Sequence, residues 1–463
     1  MSYAQPPSDI DSNIFREYDI RGVAGDNLSV ETVYWIARAF ATQCISQNIH
    51  KCAIGGDGRI STPAIRNSLS QGLTEGGLNV VDIGTVPTPL LYYATHRIET
   101  GTGIMITGSH NPPEYNGLKM VIGHIALSGE SITHLLSNIQ KGEFSTGNGS
   151  FETQEVINDY ISEVCRGIKT SRPRDIVLDC GNGVAGTVAP KLLRQLGHNV
   201  VTLYEEVDGQ FPNHHPDPAD ENNLADLKRT VIEEKADVGI AFDGDADRLG
   251  VVSNTGKTVW PDSLMMLFSQ SLLAQNPGAT IVFDVKCSRN LAILIRKAGG
   301  NPIMWRTGHS HIKAKIRETQ ALLGGEFSGH ICFADNWYGF DDAVYSAARF
   351  LEVLDRTEKS VDEIFANFPK SISTPEIKIM THDDKKFEII SRLANQRFPS
   401  AKVNYIDGIR ADYEDGWGLI RASNTSPVLS LRFEADNTKA LKRIKNDFRD
   451  KLAKTDSTLT FPE

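Results

Sequence analysis

DIVLDCGNGVAGTVAPKLLRQLGHNVVTLYEE, residues 175–206, reads as strand, glycine turn, helix and second strand. An apolar run ends at Asp179, and Gly181-x-Gly183-x-x-Gly186 follows it. The helix then carries Val188, Ala189, Leu192, Leu193 and Leu196 at helical spacing. The second strand ends beside an acidic residue, Glu205. This pattern is the dinucleotide-binding fingerprint, in which glycines admit a pyrophosphate and the acid meets a ribose. Taken alone, it points to an oxidoreductase.

Two further stretches share the plan but lack the glycine spacing. They are KCAIGGDGR…LTEGGLNVVDIG (51–84) and ATIVFDVKC…LIRKAGGNPIMWRTG (279–308). In each of the three, an apolar strand ends near an Asp (Asp57, Asp179, Asp284), and a helix closes on Gly. A second strand then starts at or just after an Asn (Asn79, Asn199, Asn301). Glycine at the helix end supplies a left-handed cap, and the short return favours a parallel strand. The glycines of the middle copy are therefore expected to serve a tight turn and close helix–sheet packing. GVVSNTGKTV (250–259) is a weaker decoy: its first glycine is one residue too far from Gly256-Lys257-Thr258 for a P-loop, and the segment reads as a hairpin.

From about residue 370 the pattern changes to antiparallel strands. KVNYIDGIRADY, WGLIRAS and VLSLRFEA are followed by a closing amphipathic helix. The fold class expected is α/β: three related α/β domains of mixed or parallel sheet, then a C-terminal α+β domain with an antiparallel sheet. The boundaries are placed at 1–154, 155–256, 257–369 and 370–463.

A chain of 463 residues, 40% hydrophobic and 23% charged, suits several globular cores, and no apolar run is long enough to span a bilayer. The opening MSYAQPPSDIDSNIF lacks the basic and apolar regions of a signal peptide and reads as a loose leader. A net charge of −10 argues against nucleic acid as partner, though not against a small phosphorylated ligand in a local cationic pocket. Cys44, Cys52, Cys165, Cys180, Cys287 and Cys332 form no CxxC pair, so free thiols and a cytoplasmic setting are expected.

Each α/β unit is followed by an unusual loop. In GIMITGSHNPPEYNGLK a strand delivers Ser109 into a proline-closed turn, with His110 adjacent and Lys119 further on; this is not the GxSxG elbow of hydrolases. In DVGIAFDGDADRLGVV, Asp243, Asp245 and Asp247 alternate after an apolar strand, with Arg248 next. Carboxylates crowded at a strand end repel one another unless a cation sits among them, and hard oxygen ligands suit Mg²⁺. An EF-hand is excluded because its sixth position would be Arg248 and its twelfth Asn254. In GGEFSGHICF, Glu326, Ser328 and His330 could meet sugar hydroxyls. RASNTSP gathers Arg421, Ser423, Asn424 and Thr425, a guanidinium fork with hydroxyls suited to a phosphate. FREYDIRG adds Tyr18 and Arg21, and WRTGHSHIK adds His309, whereas His214 and His215 in FPNHHPDP read as part of a connecting loop.

Five of these motifs stand together in order. YDIRG, TGSHNPP.YNG.K, DGDxDR, GE.SGH and RASNT resemble the α-D-phosphohexomutase superfamily from about Phe15 to the last helix. The resemblance implies four domains around a central cleft and a mutase interconverting hexose 1-phosphate and hexose 6-phosphate, of mannose and glucose. It implies a phosphoryl group on Ser109, Mg²⁺ on Asp243, Asp245 and Asp247 with Ser109, and a bound hexose 1,6-bisphosphate as intermediate and activator. Glu326, Ser328 and His330 would grip the sugar, with Tyr18, Lys286, Gly308 and His309 also contacting it. Arg421, Ser423, Asn424 and Thr425 would hold the non-reacting phosphate. Arg248, His110 and Lys119 would serve the transfer, and the base is expected among Lys119, Arg21 and His309, in that order, a lysine among cations having its pKa lowered. A monomer that binds small hexose phosphates but neither nucleic acid nor membrane is expected. Two departures stand out. Ala246 replaces the commoner glycine and is tolerable if its φ stays negative, and Phe327 favours neutral hexoses over glucosamine phosphate. A phosphoglucosamine mutase and a haloacid-dehalogenase-type phosphotransferase using Asp243 are the alternatives.

Overall fold

The computed structural model describes residues 5–7, 9–424 and 426–461. The chain forms two compact units, one of residues 1–264 with 322–366 and one of 265–321 with 367–463.

The first unit holds two large sheets. In the N-terminal one, the parallel neighbours Lys51–Gly56 and Asn79–Thr85 are the first copy of the repeated unit. Gly103–Ile106 runs parallel to Lys51–Gly56 and pairs antiparallel with Tyr115–Ile122, so the sheet is mixed. Its core includes helix Val30–Ile45, which buries Val33, Ile36, Ala37 and Phe40. The next sheet pairs Asp175–Asp179 in parallel with Asn199–Leu203 and with Val238–Phe242. Val238–Phe242 turns back antiparallel into Leu249–Ser253, and Leu249–Ser253 pairs with Thr258–Val259 around Gly256, at φ +78°, as the hairpin reading required. The unit also contains an antiparallel pair, Leu323–Gly325 with Ile331–Phe333, followed by helix Ala343–Asp355.

In the second unit, Thr280–Asp284 and Asn301–Trp305 form the third parallel pair. All three second strands begin at the expected asparagines, and the glycines before them, Gly77, Gly197 and Gly299, have φ of +98°, +94° and +79°. A left-handed residue there turns the chain without a Cβ clash. The remaining sheet is wholly antiparallel, with Gly416–Ala422 and Val428–Ala435 at its centre. Helix Thr438–Thr455 covers it with Ala440, Ile444, Phe448 and Leu452, packed against Ile420, Leu431 and Phe433. All six cysteines are free.

Candidate functional site

The strand Gly103–Ile106 leads into Ser109, which is 2% exposed and left-handed at φ +51°. A non-glycine residue there is strained by roughly 1–2 kcal/mol, so the surrounding contacts must hold it. The Ser109 amide donates to Thr107 Oγ1 at 2.7 Å. Its hydroxyl lies 3.1 Å from His110 Nδ1 and donates to Asp243 Oδ2 at 3.3 Å. Burial first, then the Arg248, Arg21 and Lys119 charges, hold the His110 pKa well below its ordinary value.

Strand Val238–Phe242 delivers the three aspartates, all fully buried, and their ligand atoms lie within 4.8 Å of one another. Asp243 Oδ1 accepts from the amides of Asp247 and Arg248, each at 3.1 Å. Thr88 Oγ1 and Lys119 Nζ donate to Asp245 Oδ2 at 2.5 and 2.7 Å, and Lys119 also reaches Asp247 Oδ2. Asp245 Oδ1 and Asp247 Oδ1 accept no hydrogen bond, although both are sealed from solvent. Burial, then Asp247 and Asp245, push the Asp243 pKa well up. An oxygen-only donor set with two unsatisfied buried oxygens and mutual repulsion fits a hard divalent cation such as Mg²⁺.

Two details of this loop correct the sequence reading. Ala246 does not keep a negative φ; it sits at +58°. The turn that brings all three carboxylates inward, closed by the Ala246 amide on Asp243 O at 3.0 Å, imposes that conformation. Lys119 lies among anions, not cations. Burial alone would lower its pKa, but the Asp245 and Asp247 carboxylates raise it well above the usual lysine range.

The GEFSGH loop belongs to the same unit. The Glu326 amide donates to His330 O at 2.9 Å, and Gly329, at φ +100°, closes the turn on Glu326 O. Arg248 Nε donates to His330 Nε2 at 3.1 Å. That bond leaves the ring proton on Nδ1, which faces Asp341 Oδ2 at 3.1 Å and Asp247 Oδ1 at 3.4 Å. His330, Asp247 and Asp341 could by spacing alone hold a metal, but a ring nitrogen bearing a proton cannot ligate. Ser328 is half-buried, and Phe327 stacks on Trp260 with centroids 5.8 Å apart. Arg21 donates to Asn111 Oδ1 at 2.6 Å and pairs with Asp19, and Tyr18 is buried.

The glycine fingerprint finds its explanation here. A Cβ on Gly183 would stand 2.7 Å from Gly244 O, and one on Gly186 would stand 1.9 Å from Glu205 O. Both glycines thus press on protein backbone, of the aspartate loop and of Glu205 just past the following strand, which accounts for them as packing positions. Nor is FPNHHPDP a mere connection: His214 Nε2 lies 3.0 Å from Asp179 Oδ2, and Asp217 Oδ1 lies 3.7 Å from Arg248 Nη1.

The second unit gathers the remaining candidates. Asp407 Oδ2 accepts from Arg421 Nε at 2.8 Å and from the Thr307 amide at 2.9 Å, tying the RASN loop to the turn of Gly308 and His309. Lys286 Nζ lies 3.5 Å from Glu376 Oε2, and the Ser430 hydroxyl donates to Glu376. Burial would raise the Glu376 pKa, but Lys286 and Ser430 hold it at about 2. Ser423 Oγ accepts from the Ser426 amide at 3.2 Å, and Asn424 follows it; Thr425 lies outside the described residues. Sequence reasoning missed Thr88, Asp217, Asp341, Asp407 and Glu376; the partners of Thr88 and Glu376 lie far away in the chain, whereas Asp341 and Asp407 meet His330 and Arg421 only through the folding of their loops.

Four family descriptions match in order. Phosphoglucomutase/phosphomannomutase alpha/beta/alpha domains I, II and III cover residues 12–146, 158–256 and 260–372, and the C-terminal domain covers 376–451. The chain is 50% identical over 463 residues, all of both sequences, to a phosphomannomutase/phosphoglucomutase of Pseudomonas aeruginosa. It is 45% identical to a phosphoglucomutase of Neisseria gonorrhoeae, over 95% of this chain and 96% of that one. A crystal structure of a phosphoglucomutase/phosphomannomutase family protein from Burkholderia thailandensis superposes with a TM-score of 0.93 at 44% identity, covering 98% of this chain and all of that one.

Proposed function

This chain belongs to the phosphoglucomutase/phosphomannomutase family, and from that premise we propose how its own residues interconvert hexose 1-phosphates and hexose 6-phosphates of mannose and glucose. The four domains are taken to divide at residues 154, 256 and 369. Ser109 carries the phosphoryl group. The free hydroxyl of a hexose monophosphate attacks the phosphorus, the bond from phosphorus to Ser109 Oγ breaks, and the hydroxyl proton passes to a base for which Arg21 and His309 remain, because Asp245 and Asp247 hold Lys119 protonated. The resulting hexose 1,6-bisphosphate turns end over end, and its other phosphate returns to Ser109 by the reverse chemistry.

Asp243, Asp245 and Asp247, with Ser109, would hold Mg²⁺, which supplies positive charge against the phosphoryl oxygens. Lys119 and Arg248 set their charges against the aspartates of that hollow, Glu326, Ser328 and His330 orient the sugar, and Lys286, Arg421 and Ser423 serve the distal phosphate. Glucose and mannose differ only at C2, so contacts to other hydroxyls accept both. Phe327, packed on Trp260, offers no polar group to an amino sugar, which favours this reading over a phosphoglucosamine mutase. A small soluble-phase substrate, a cytoplasmic setting and a monomeric state complete the proposal.

The observation that carries it is the Ser109 hydroxyl 3.3 Å from Asp243, in one buried hollow with two unsatisfied carboxylate oxygens. Intact mass before and after excess hexose phosphate tests it. One phosphoryl group localised to Ser109 and lost on adding substrate is expected, with Ser109→Ala nearly inactive yet still binding sugar phosphate. Full turnover by that variant would sink the proposal.

A further inference from the structure

Arg59 lies outside the five family motifs, is 1% exposed and yet has all five N–H donors engaged. Its Nε donates to Asp57 Oδ2 at 3.1 Å. Nη1 donates to the carbonyls of Pro112 and Tyr115, at 2.5 and 2.9 Å. Nη2 donates to the carbonyls of Ser109 and Asn111, at 2.9 and 2.6 Å. One planar group thus gathers four carbonyls of the loop that presents Ser109.

Its support is equally specific. Asp57 Oδ1 accepts from the Arg59 amide and Thr62 Oγ1, and Oδ2 accepts from the Gly108 amide at 3.1 Å. Phe211 lies against the guanidinium at 5.2 Å, and a Cβ on Gly209 would stand 2.7 Å from Arg59 Cα. The segment from Glu205 to Pro218 therefore backs Arg59 while its Asp217 pairs with Arg248.

We propose that Arg59 is the positioning residue for the nucleophile: its guanidinium draws the Ser109–Tyr115 carbonyls onto one centre and so holds Ser109 in its left-handed conformation, with Oγ toward Asp243. This deepens the reading of Ser109 as phosphoryl carrier and rests on it. No atom of Arg59 need touch the sugar. A lysine cannot replace it, because three tetrahedral donors cannot meet four carbonyls and a carboxylate.

The test compares wild type with Arg59→Lys. Turnover, KM and the rate at which Ser109 gains phosphate from added glucose 1,6-bisphosphate are followed by intact mass, alongside thermal unfolding. Misplacing a reacting group by about 1 Å costs roughly 100-fold. The expected result is a fall in kcat and phosphorylation rate of about that size, with KM for hexose phosphate within about threefold of wild type. A merely structural arginine would lower the melting temperature and leave kcat per folded molecule intact, which would overturn the proposal. If Arg59→Lys does not fold, Gly108→Ala carries the test. Its Cβ would stand 2.4 Å from Arg59 Cζ and displace the guanidinium without deleting it; the same loss of kcat is expected, and wild-type kcat would overturn the proposal. A wild-type Ser109 that takes up no phosphate would instead bring down the carrier reading, so the two failures are distinguishable.

Discussion

Gly183→Ala separates the scaffold reading of the glycine fingerprint from the cofactor reading. Gly183 has φ −84° and ψ 177°, extended backbone that alanine adopts freely, so the substitution acts through space alone. The new methyl would stand 2.7 Å from Gly244 O and 3.0 Å from Gly244 Cα, whereas ordinary contact begins near 3.4 Å. The metal turn must therefore retreat by about 0.7 Å. It has little room, because a Cβ on Gly244 would itself be 2.5 Å from Ser109 O. Overpacking of this kind costs about 1–3 kcal/mol of stability. At the site, a displacement approaching 1 Å lowers kcat by roughly 10- to 100-fold. KM should hold, since the GEFSGH loop is untouched, and half-saturating Mg²⁺ should rise. Initial rates of hexose 1-phosphate conversion against substrate and Mg²⁺, with a melting curve, measure all of this. A folded variant with unchanged kcat and Mg²⁺ demand would refute the steric argument. Saturable NAD binding by wild type, abolished in the variant, would revive the cofactor reading.

Two further outcomes are expected. Lys119→Met leaves Asp245 and Asp247 facing each other without their cation; metal-free denaturant unfolding should show a loss of about 3–5 kcal/mol, and a loss below about 1 kcal/mol would contradict the ion-pair account. His96 is stacked on His124 at 4.2 Å and on Tyr338 at 4.6 Å, and burial, then His124, push its pKa down from 6.5 to about 4. Between those two values the unfolded chain binds the proton and the native chain does not, so stability falls as pH drops through the window and levels off below about 4. After solvent screening the effect is about 1–2 kcal/mol. His96→Phe should shrink the drop in melting temperature between pH 7.5 and pH 5, and an unchanged drop would count against it.

The three strand–helix–strand copies were legible because period, cap and strand start all recur at short range. Asn79, Asn199 and Asn301 each open a strand as read. The Ser109 and aspartate loops were legible for a related reason: their chemistry is concentrated in a few neighbouring residues. Arg59 was not, although GGDGR was in plain view, because its acceptors are carbonyls some fifty residues away, and backbone oxygens leave no mark in a sequence. Glu376 escaped because its partners, Lys286 and Ser430, stand 90 and 54 residues away, and Asp407 because it reads locally as a turn residue. Ala246 was misread because a local preference of about 1–2 kcal/mol yields to the convergence of three carboxylates.

Gly244 is pressed between Gly183 and Ser109, and its carbonyl accepts the Val184 amide at 3.2 Å. That amide thereby becomes a listening post. On the proposed reading, a shift of the serine turn on phosphoryl transfer would be felt across one glycine by a hydrogen bond to the turn that follows strand Asp175–Asp179. Its exchange with deuterium should keep time with a reaction it takes no chemical part in.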